Sequence, residues 1–218
     1  MKRGFDLLCA FCLLLPVLPV LALCAVLIKL DSPGPVLFRQ MRMGRHFRTF
    51  QMLKLRTMAH RSRGSAYTLG ADPRITPVGR WMRRYKLDEL PQLWNVLRGE
   101  MSMVGPRPVV PQLTQEFYRE YERLLAVRPG ITDPAALKYH AETDLLAAAP
   151  DPLHHFKTVV TPDKLRLSSA YIHRATLWTD LGLVLRTAYV LLLVLPLRRS
   201  GVARVFQFPR MWDHPAPQ

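Results

Sequence analysis

Two adjacent carboxylates, Asp88 and Glu89, are the sharpest candidates for chemistry in this sequence. They open a predicted helix, and at the non-helical cap of a helix both side chains could turn toward one point, although neighbours inside a helix do not face each other. An ionised aspartate near a divalent metal can attack phosphorus. From residues 87–92 alone, simple N-capping by Asp88 is the better explanation.

Basic residues around the carboxylates favour the chemical interpretation. Arg107 lies between Pro106 and Pro108, which fix the backbone, while Gly105 permits close approach, so the guanidinium could bind a phosphate with two hydrogen bonds. For most of the 31 Lys and Arg residues, a solvated or lipid-facing charge is the simpler interpretation. Four basic residues directly precede the carboxylates: Arg80, Arg83, Arg84 and Lys86.

The net charge of +15 requires an anionic partner, which nucleic acid, anionic lipid or a phosphorylated substrate could supply. Basic and aromatic residues alternate around Trp81, but no nucleic-acid recognition motif frames them, so we expect no nucleic-acid partner. The seven histidines lack metal-binding spacing, and no Walker loop, GxGxxG or GxSxG motif occurs. The three cysteines all fall within the first 24 residues, which agrees with a reducing compartment.

The elements that must position these residues can be predicted from local patterns. Two short strands, over residues 36–40 and 47–55, flank Met43-Gly44-Arg45 as a hairpin, and Arg56 directly follows the second strand. Thr76 followed by Pro77 predicts a helix that begins there and ends near Arg84. A second helix is predicted from Asp88 to the stop signal Gly99.

The remaining segments are predicted mainly from apolar periodicity. Residues 60–70 form a polar loop, residues 112–126 an amphipathic helix, and helical pattern resumes over residues 163–195. Within the last segment, residues 188–197 are apolar but too short to span a bilayer. They suit either a helix in the membrane interface or a buried core helix.

The apolar run from Leu7 to Ile28 has no charged residue, and its 22 positions would form a helix of about 33 Å. A signal peptide fits poorly because the run exceeds the usual length of about 7–15 residues. A straight span and a re-entrant helix stay equally plausible on physical grounds. Pro16 and Pro19 bend the middle of the run, and basic residues flank both ends, as expected if both ends lie on the cytoplasmic side.

A series of short motifs occurs along the chain, the first of them just before the apolar run, and each is weak alone. They are Lys2-Arg3 with Phe5-Asp6; Asp31-Ser32-Pro33-Gly34-Pro35; Phe38-Arg39-Gln40; Lys54-Leu55-Arg56-Thr57-Met58; Asp72-Pro73-Arg74-Ile75-Thr76; Val78-Gly79-Arg80; Leu87 to Val96 with Gly99; Met101-Ser102 with Val104-Gly105-Pro106-Arg107-Pro108; and Arg128-Pro129-Gly130-Ile131-Thr132. In this order the set strongly resembles the bacterial sugar transferase family, the short form of the monotopic phosphoglycosyl transferases, over residues 2 to 200.

The resemblance implies a fold and a site. The fold would be α+β and mostly helical, with a re-entrant membrane helix at Pro16 and Pro19, a small β-hairpin, and amphipathic interfacial helices around a cytoplasmic catalytic domain. Residues 1–30 would be the membrane anchor, 31–200 the catalytic domain and 201–218 a C-terminal tail. Asp88 and Glu89 would be catalytic, with Asp88 also helping to bind Mg²⁺. Phosphate or nucleotide binding would fall to Arg56, Arg83 and Arg107.

The resemblance also implies a reaction at the cytoplasmic face of the bacterial inner membrane. Asp88 would attack the sugar-linked phosphate of a UDP-sugar, UMP would leave, and polyprenol (undecaprenyl) phosphate would take the phosphosugar from the aspartate. This would be the first membrane step of exopolysaccharide, O-antigen or glycoconjugate synthesis. A homodimer and membrane lipid are further expected partners. The sequence does not specify the sugar, the glycan pathway or the oligomeric state.

Two departures from the family pattern stand out. Many relatives have Ser-Pro at the membrane break, whereas this chain has Leu18-Pro19 preceded by Pro16. After Thr132 many relatives continue Gly-x-Ala-Gln, whereas this chain continues Asp133-Pro134-Ala135-Ala136, which suggests a subgroup. Two non-enzymatic functions are the alternatives: a membrane-anchored scaffold of polysaccharide assembly, in which Asp88 and Glu89 would be dispensable, and a membrane-tethered nucleic-acid binder with steeply salt-dependent binding.

Overall fold

The structure, a computed structural model, describes residues 1–59 and 72–195. This part of the chain is mostly helical with four short strands, which confirms the predicted α+β class. The predicted polar loop over residues 60–70 and the predicted tail over residues 201–218 lie outside the described residues.

The first element, α1, is one continuous helix from Lys2 to Asp31. Pro16 and Pro19 lie inside it without ending it, and the re-entrant path of this segment through a membrane stays a prediction. A proline removes one backbone donor and bends a helix, but the apolar helix formers on both sides keep the remaining hydrogen bonds. Large apolar side chains on its outer side are exposed, among them Leu8, Phe11 and Leu18.

The predicted hairpin is confirmed as β1 (Leu37–Met43) and β2 (Thr49–Leu55), which pair antiparallel with Leu37 opposite Leu55. The turn between them contains His46 and Phe47 at positive φ. Both faces of β2 are covered: Phe50 and Met52 on one face and Leu53 and Leu55 on the other are buried. Lys54 lies on the same face of β2 as Met52 and lines a cleft.

Helix α2 (Pro77–Arg84) begins as predicted, because the Thr76 side chain accepts a hydrogen bond of 3.0 Å from the Gly79 amide. The next helix does not begin at Asp88. Residues Leu87–Glu89 form a 3₁₀ turn after Lys86, which has positive φ, and α3 runs only from Gln92 to Arg98. Gly99 ends α3 with a φ of 82°, as predicted. Pro91, which has no N–H to donate, occupies the cap position of α3.

Two short strands, β3 (Ser102–Val104) and β4 (Gly130–Thr132), pair in parallel. The chain continues from β3 into the segment that carries Arg107. Gly105 and Gly130 lie where the two backbones come closest, since a Cβ added to Gly130 would lie 2.1 Å from the Gly105 amide nitrogen. The close approach predicted for Gly105 is therefore confirmed, and it allows Gly130 to donate to the Pro106 carbonyl at 2.9 Å.

The second half of the described chain consists of short helices, and two predicted helices are broken. Phe117 interrupts the helix predicted over residues 112–126, because its backbone is not helical. The helix predicted over residues 163–195 is broken at Ala175, where Thr176 caps the following helix with a reciprocal Thr179 hydrogen bond. The elements are α4 (Pro111–Glu116), α5 (Tyr118–Leu124), α6 (Pro134–Lys138), α7 (Glu142–Ala147), α8 (Pro152–His155), α9 (Thr161–Arg174) and α10 (Leu177–Tyr189), with π-helical turns at Phe156–Val160 and Val190–Val194.

Helix α10 and its continuation through Val194 have two different faces. Leu183, Val190 and Leu195 pack in the main hydrophobic core, whereas Trp178 and Leu192 are more than 70% exposed. The described part of the apolar segment over residues 188–197 is thus neither wholly buried nor wholly exposed. Within residues 1–59 and 72–195, two helical segments are long and apolar enough to cross a membrane: Lys2–Asp31 and Leu177–Val194.

Candidate active site

A cleft of about 1390 Å³ runs between the hairpin, the Leu87–Glu89 turn and the helices α6, α7, α9 and α10. Its lining includes the charged side chains of Asp88, Glu89 and Arg107. Apolar residues line it as well, among them Leu13 of α1 and Leu195 after α10. The cleft therefore has charged residues and residues of the two most apolar helices of the described chain in its walls.

Asp88 lines the cleft with an almost completely buried side chain. Its Oδ1 atom is buried and has no hydrogen-bond partner among the described residues. Neither the 3₁₀ turn nor α3 has a side-chain cap. Simple N-capping, the better explanation from the six residues alone, is therefore wrong, and an unpaired buried carboxylate oxygen needs another explanation.

Glu89 is engaged by two cations. Its Oε1 atom forms an ion pair with Arg107 and lies 3.3 Å from the Lys54 ammonium. Arg107 comes from the segment after β3, and Lys54 from β2, so the tertiary fold brings three separate segments together here. The structure thus brings Asp88, Glu89 and Arg107 together in one cleft, as expected for residues of a single site.

The two neighbouring carboxyls have opposite electrostatic environments. Burial raises the pKa of Asp88, and the charge of Glu89 raises it further against the opposing effects of Lys54, Lys86 and Arg83. Burial alone would also raise the pKa of Glu89, but Arg107, Lys54 and Lys86 outweigh it and hold that pKa well below its usual range. The surroundings of Glu89 thus favour its anionic form, whereas those of Asp88 favour its protonated form.

Arg83 lines the same cleft and is held in place by a 2.8 Å hydrogen bond from its Nε to the Thr57 hydroxyl. Burial lowers its pKa, and Asp88 opposes this effect most strongly among the nearby charges. The guanidinium therefore lies within electrostatic reach of Asp88. Its expected role in phosphate binding stays a prediction.

Arg56 also lines the cleft, but its guanidinium donates to backbone carbonyls. Nη1 donates to the Pro33 carbonyl, and Nη2 donates to the carbonyls of Ser32 at 2.7 Å and Ile28 at 3.3 Å. These carbonyls belong to the end of α1 and the following turn. The contacts give Arg56 a structural role at the base of the apolar helix, and phosphate binding by Arg56 stays a prediction.

Some cleft residues were not predicted as site residues. Lys54 is part of a family motif in the sequence but is not among the predicted site residues, and alternation along β2 does not separate it from the buried Met52 on the same face. A second set of polar residues also lines the cleft: Lys164 forms a 2.6 Å ion pair with Glu142, and the buried Asp133 accepts a hydrogen bond from Ser168. These residues carry no local motif, because α6, α7 and α9 bring them together from separate segments.

The site can be tested for its fit to Mg²⁺ from the donor atoms alone. Among residues 1–59 and 72–195, no group of three or more His, Cys, Asp or Glu side chains forms a dedicated metal cage. Mg²⁺ is commonly held by one or two carboxylates together with water and substrate phosphates. The unpaired Oδ1 atom of Asp88 suits this arrangement, whereas the Glu89 carboxylate is already paired with Arg107 and Lys54.

An unpaired carboxylate beside several cations is suited to phosphoryl chemistry. Guanidinium and ammonium groups stabilise the charge that develops on phosphoryl oxygens, and a carboxylate can form an acyl phosphate. The apolar residues of the lining suit an aliphatic group at the same time. The cleft thus has residue types suited to phosphoryl transfer and lies beside apolar, membrane-type helices.

The chain belongs to the bacterial sugar transferase family, whose profile matches residues 1–194. It is 50% identical over 140 residues to an undecaprenyl-phosphate glucose phosphotransferase of Komagataeibacter xylinus, covering 60% of this chain and 26% of that protein. It is 37% identical over 196 residues to a UDP-N-acetylgalactosamine-undecaprenyl-phosphate N-acetylgalactosaminephosphotransferase of Aeromonas hydrophila, covering 88% of this chain and 43% of that protein. A UDP-glucose:undecaprenyl-phosphate glucose-1-phosphate transferase of Caulobacter vibrioides is 41% identical over 197 residues, with 88% of this chain and 69% of that protein covered.

The chain thus spans less than half the length of two of these three relatives. The family membership and the order of motifs agree with the resemblance inferred from the sequence.

Proposed function

We propose that this chain transfers a sugar 1-phosphate from a UDP-sugar to undecaprenyl phosphate through a covalent aspartyl-phosphosugar intermediate at Asp88. The single observation that carries the proposal is the unpaired, buried carboxylate oxygen of Asp88 in a cleft that also contains Arg83, Arg107 and Lys54. The names of the relatives support undecaprenyl phosphate as the acceptor and a UDP-sugar as the donor.

In the first step, a carboxylate oxygen of Asp88 attacks the phosphorus that carries the sugar. A bond forms between this oxygen and the phosphorus, and the bond to the bridging oxygen of the diphosphate breaks. The electron pair leaves with UMP. Arg83 and Arg107 stabilise the charge on the phosphoryl oxygens, since guanidinium groups bind such oxygens with short, charge-assisted hydrogen bonds.

In the second step, a phosphate oxygen of the acceptor attacks the same phosphorus and displaces the Asp88 carboxylate. The product is a polyprenol diphosphate-sugar, and the enzyme returns to its starting state. The apolar part of the lining, which includes Leu13 of α1 and Leu195 after α10, supports a lipid acceptor because it offers an isoprenoid chain an apolar wall.

Asp88 is the residue that would hold Mg²⁺, together with the donor phosphates. The ion would supply positive charge that neutralises the diphosphate and favours the ionised form of Asp88. Glu89 would keep Arg107 oriented and would not be a metal ligand, because its carboxylate is paired with Arg107 and Lys54.

We also propose that the chain is a membrane protein of the bacterial inner membrane, with the catalytic domain on the cytoplasmic face. Both ends of α1 contact this one domain: Lys2 pairs with Asp180, and Ile28 accepts from Arg56. These contacts support a re-entrant path for α1, since a straight span would carry one end across the bilayer. The exposed apolar face of α10 would then lie in the membrane interface.

The proposal is tested by product analysis. The purified full-length chain, in detergent or nanodiscs, is given Mg²⁺, undecaprenyl phosphate and separate UDP-sugars that include UDP-glucose and UDP-N-acetylgalactosamine. We expect UMP with at least one donor, and the donor alone should add the mass of a sugar phosphate to the peptide that contains Asp88. Release of UDP instead of UMP would identify an ordinary glycosyltransferase and overturn the proposal.

A further inference from the structure

The first two turns of α1 carry polar residues that bind other elements of the fold. Asp6 is almost completely buried, and its Oδ1 atom accepts two hydrogen bonds from β3. The donors are the Ser102 hydroxyl at 2.8 Å and the Met103 amide at 2.9 Å. Asp6 and Ser102 are 96 positions apart in the sequence, so this contact joins distant parts of the chain.

Strand β3 leads directly to the cleft. It has three residues, and in the described chain its strand partner is the equally short β4. Three residues after β3 comes Arg107, which pairs with Glu89. Backbone hydrogen bonds hold β3 to the β4 segment, where Ser102 donates to the Pro129 carbonyl at 2.8 Å, and Asp6 adds the two hydrogen bonds from Ser102 and Met103. Loss of the Asp6 contacts would therefore loosen the segment that carries Arg107.

The same two turns also bind the segment that carries Glu89. The Arg3 guanidinium donates to the carbonyls of Val96 at 2.7 Å and Leu97 at 3.1 Å, at the end of α3. Helix α3 follows the Leu87–Glu89 turn after only two residues. Arg3 and Asp6 thus hold the two segments whose side chains, Glu89 and Arg107, meet in the cleft.

A third contact connects α1 to the last helices. Lys2 forms a 2.6 Å ion pair with the buried Asp180, which also accepts a 2.6 Å hydrogen bond from the Tyr171 hydroxyl. Tyr171 lies 3.3 Å from the Val104 carbonyl of β3. The start of α1 is thus connected to β3 a second time, through α9 and α10.

We propose that Asp6 is a positioning residue for the phosphoryl-transfer site, holding β3 so that Arg107 stays opposite Glu89. The apolar helix then contributes to catalysis and is more than an anchor. This inference rests on the proposed function, because Arg107 must act on the donor for its position to affect the rate.

The test is a double-mutant cycle between Asp6→Ala and Arg107→Met, measured as UMP release by the full-length protein. We expect Asp6→Ala to lower kcat/KM on the order of 10- to 100-fold, since small displacements of a phosphate-binding group are costly. In combination with Arg107→Met it should add little further loss, because both changes act through the same contact. Asp6→Asn keeps an acceptor oxygen for Ser102 and Met103 and should restore most activity.

The matched control is Leu8→Ala, since Leu8 lies on the same helix but is 64% exposed. Fully additive losses in the cycle, or normal activity of Asp6→Ala, would overturn the inference while leaving the proposed function intact. If Asp6→Ala does not fold, Ser102→Ala removes one of the two donors and should show a smaller loss that is also not additive with Arg107→Met. If the unmodified protein releases no UMP with any donor, the proposed function fails and this inference fails with it.

Discussion

Glu89 and Arg107 form an ion pair inside the cleft, while Asp88, the neighbour of Glu89, keeps a buried carboxylate oxygen without a hydrogen-bond partner. The two adjacent carboxyls are therefore in different environments. Glu89 is held as an anion by Arg107 and Lys54, and its charge in turn raises the pKa of Asp88. An arrangement of this kind leaves one carboxylate available for phosphorus and uses the other to orient a cation.

Asp88→Asn should abolish UMP release, with a loss on the order of 10³-fold or more, because the amide cannot form the acyl phosphate. The folded pKa of Asp88 lies above its ordinary value, so its ionisation at neutral pH opposes folding. The thermal unfolding temperature of the variant should therefore be unchanged or higher. Glu122→Gln, which changes an exposed carboxyl on α5 in the same way, is the control and should keep full activity. Normal turnover by Asp88→Asn would remove Asp88 as the nucleophile.

Adduct formation with the donor alone should fall on the acid side with a midpoint above the ordinary aspartate pKa of about 3.9. Asp88 must be ionised to attack, and burial raises its pKa, so protonation begins at a higher pH than usual. The donor-only reaction is the suitable measurement because the acceptor phosphate does not titrate in it.

Two variants should move this midpoint in opposite directions. Lys54→Met removes a positive charge that lowers the pKa of Asp88, so the midpoint should rise. Glu89→Gln removes a negative charge that raises this pKa, so the midpoint should fall, although the rate should also drop because Arg107 loses its partner. Shifts in the same direction would show that the titrating group is not Asp88.

Arg56→Met should affect stability more than substrate binding. It removes hydrogen bonds to three carbonyls at the end of α1, and buried acceptors without partners are costly, so the thermal unfolding temperature should drop by roughly 5–10 °C. The KM for the donor should change less than about twofold, since the guanidinium is engaged with backbone. Arg123→Met, at an exposed position on α5, is the control. A large rise in KM with unchanged stability would instead support the predicted phosphate-binding role.

The path of α1 can be tested by cysteine labelling. Cys9, Cys12 and Cys24 are first replaced by serine, and single cysteines are then introduced by Gly4→Cys and Ser32→Cys. For a re-entrant helix, a membrane-impermeant reagent should label both positions from the cytoplasmic side and neither from the opposite side. Glu122→Cys on the catalytic domain marks the cytoplasmic side. Labelling of the two positions from opposite sides would establish a straight span.

Much of the fold could be predicted because its signals are local. Thr76 and Pro77 specify a helix start, Gly99 specifies a helix end, and alternation specifies the hairpin, since each signal depends on residues within a few positions. The helix breaks at Phe117 and Ala175 were missed. At Phe117 the interruption lies in the backbone, whereas Thr176 and Thr179 form a reciprocal cap after Ala175, a local signal that was not used in the prediction.

By itself, the sequence determined the family and which residues are candidates for the chemistry, because short motifs and apolar runs are properties of neighbouring residues. Only the tertiary structure decided how they are used. Arg56 binds the chain at the end of α1, and Asp6 binds β3. Glu89 binds both Arg107 and, from β2, Lys54. These pairings join residues from 18 to 97 positions apart, and they are set by the packing of whole elements, which no local pattern encodes.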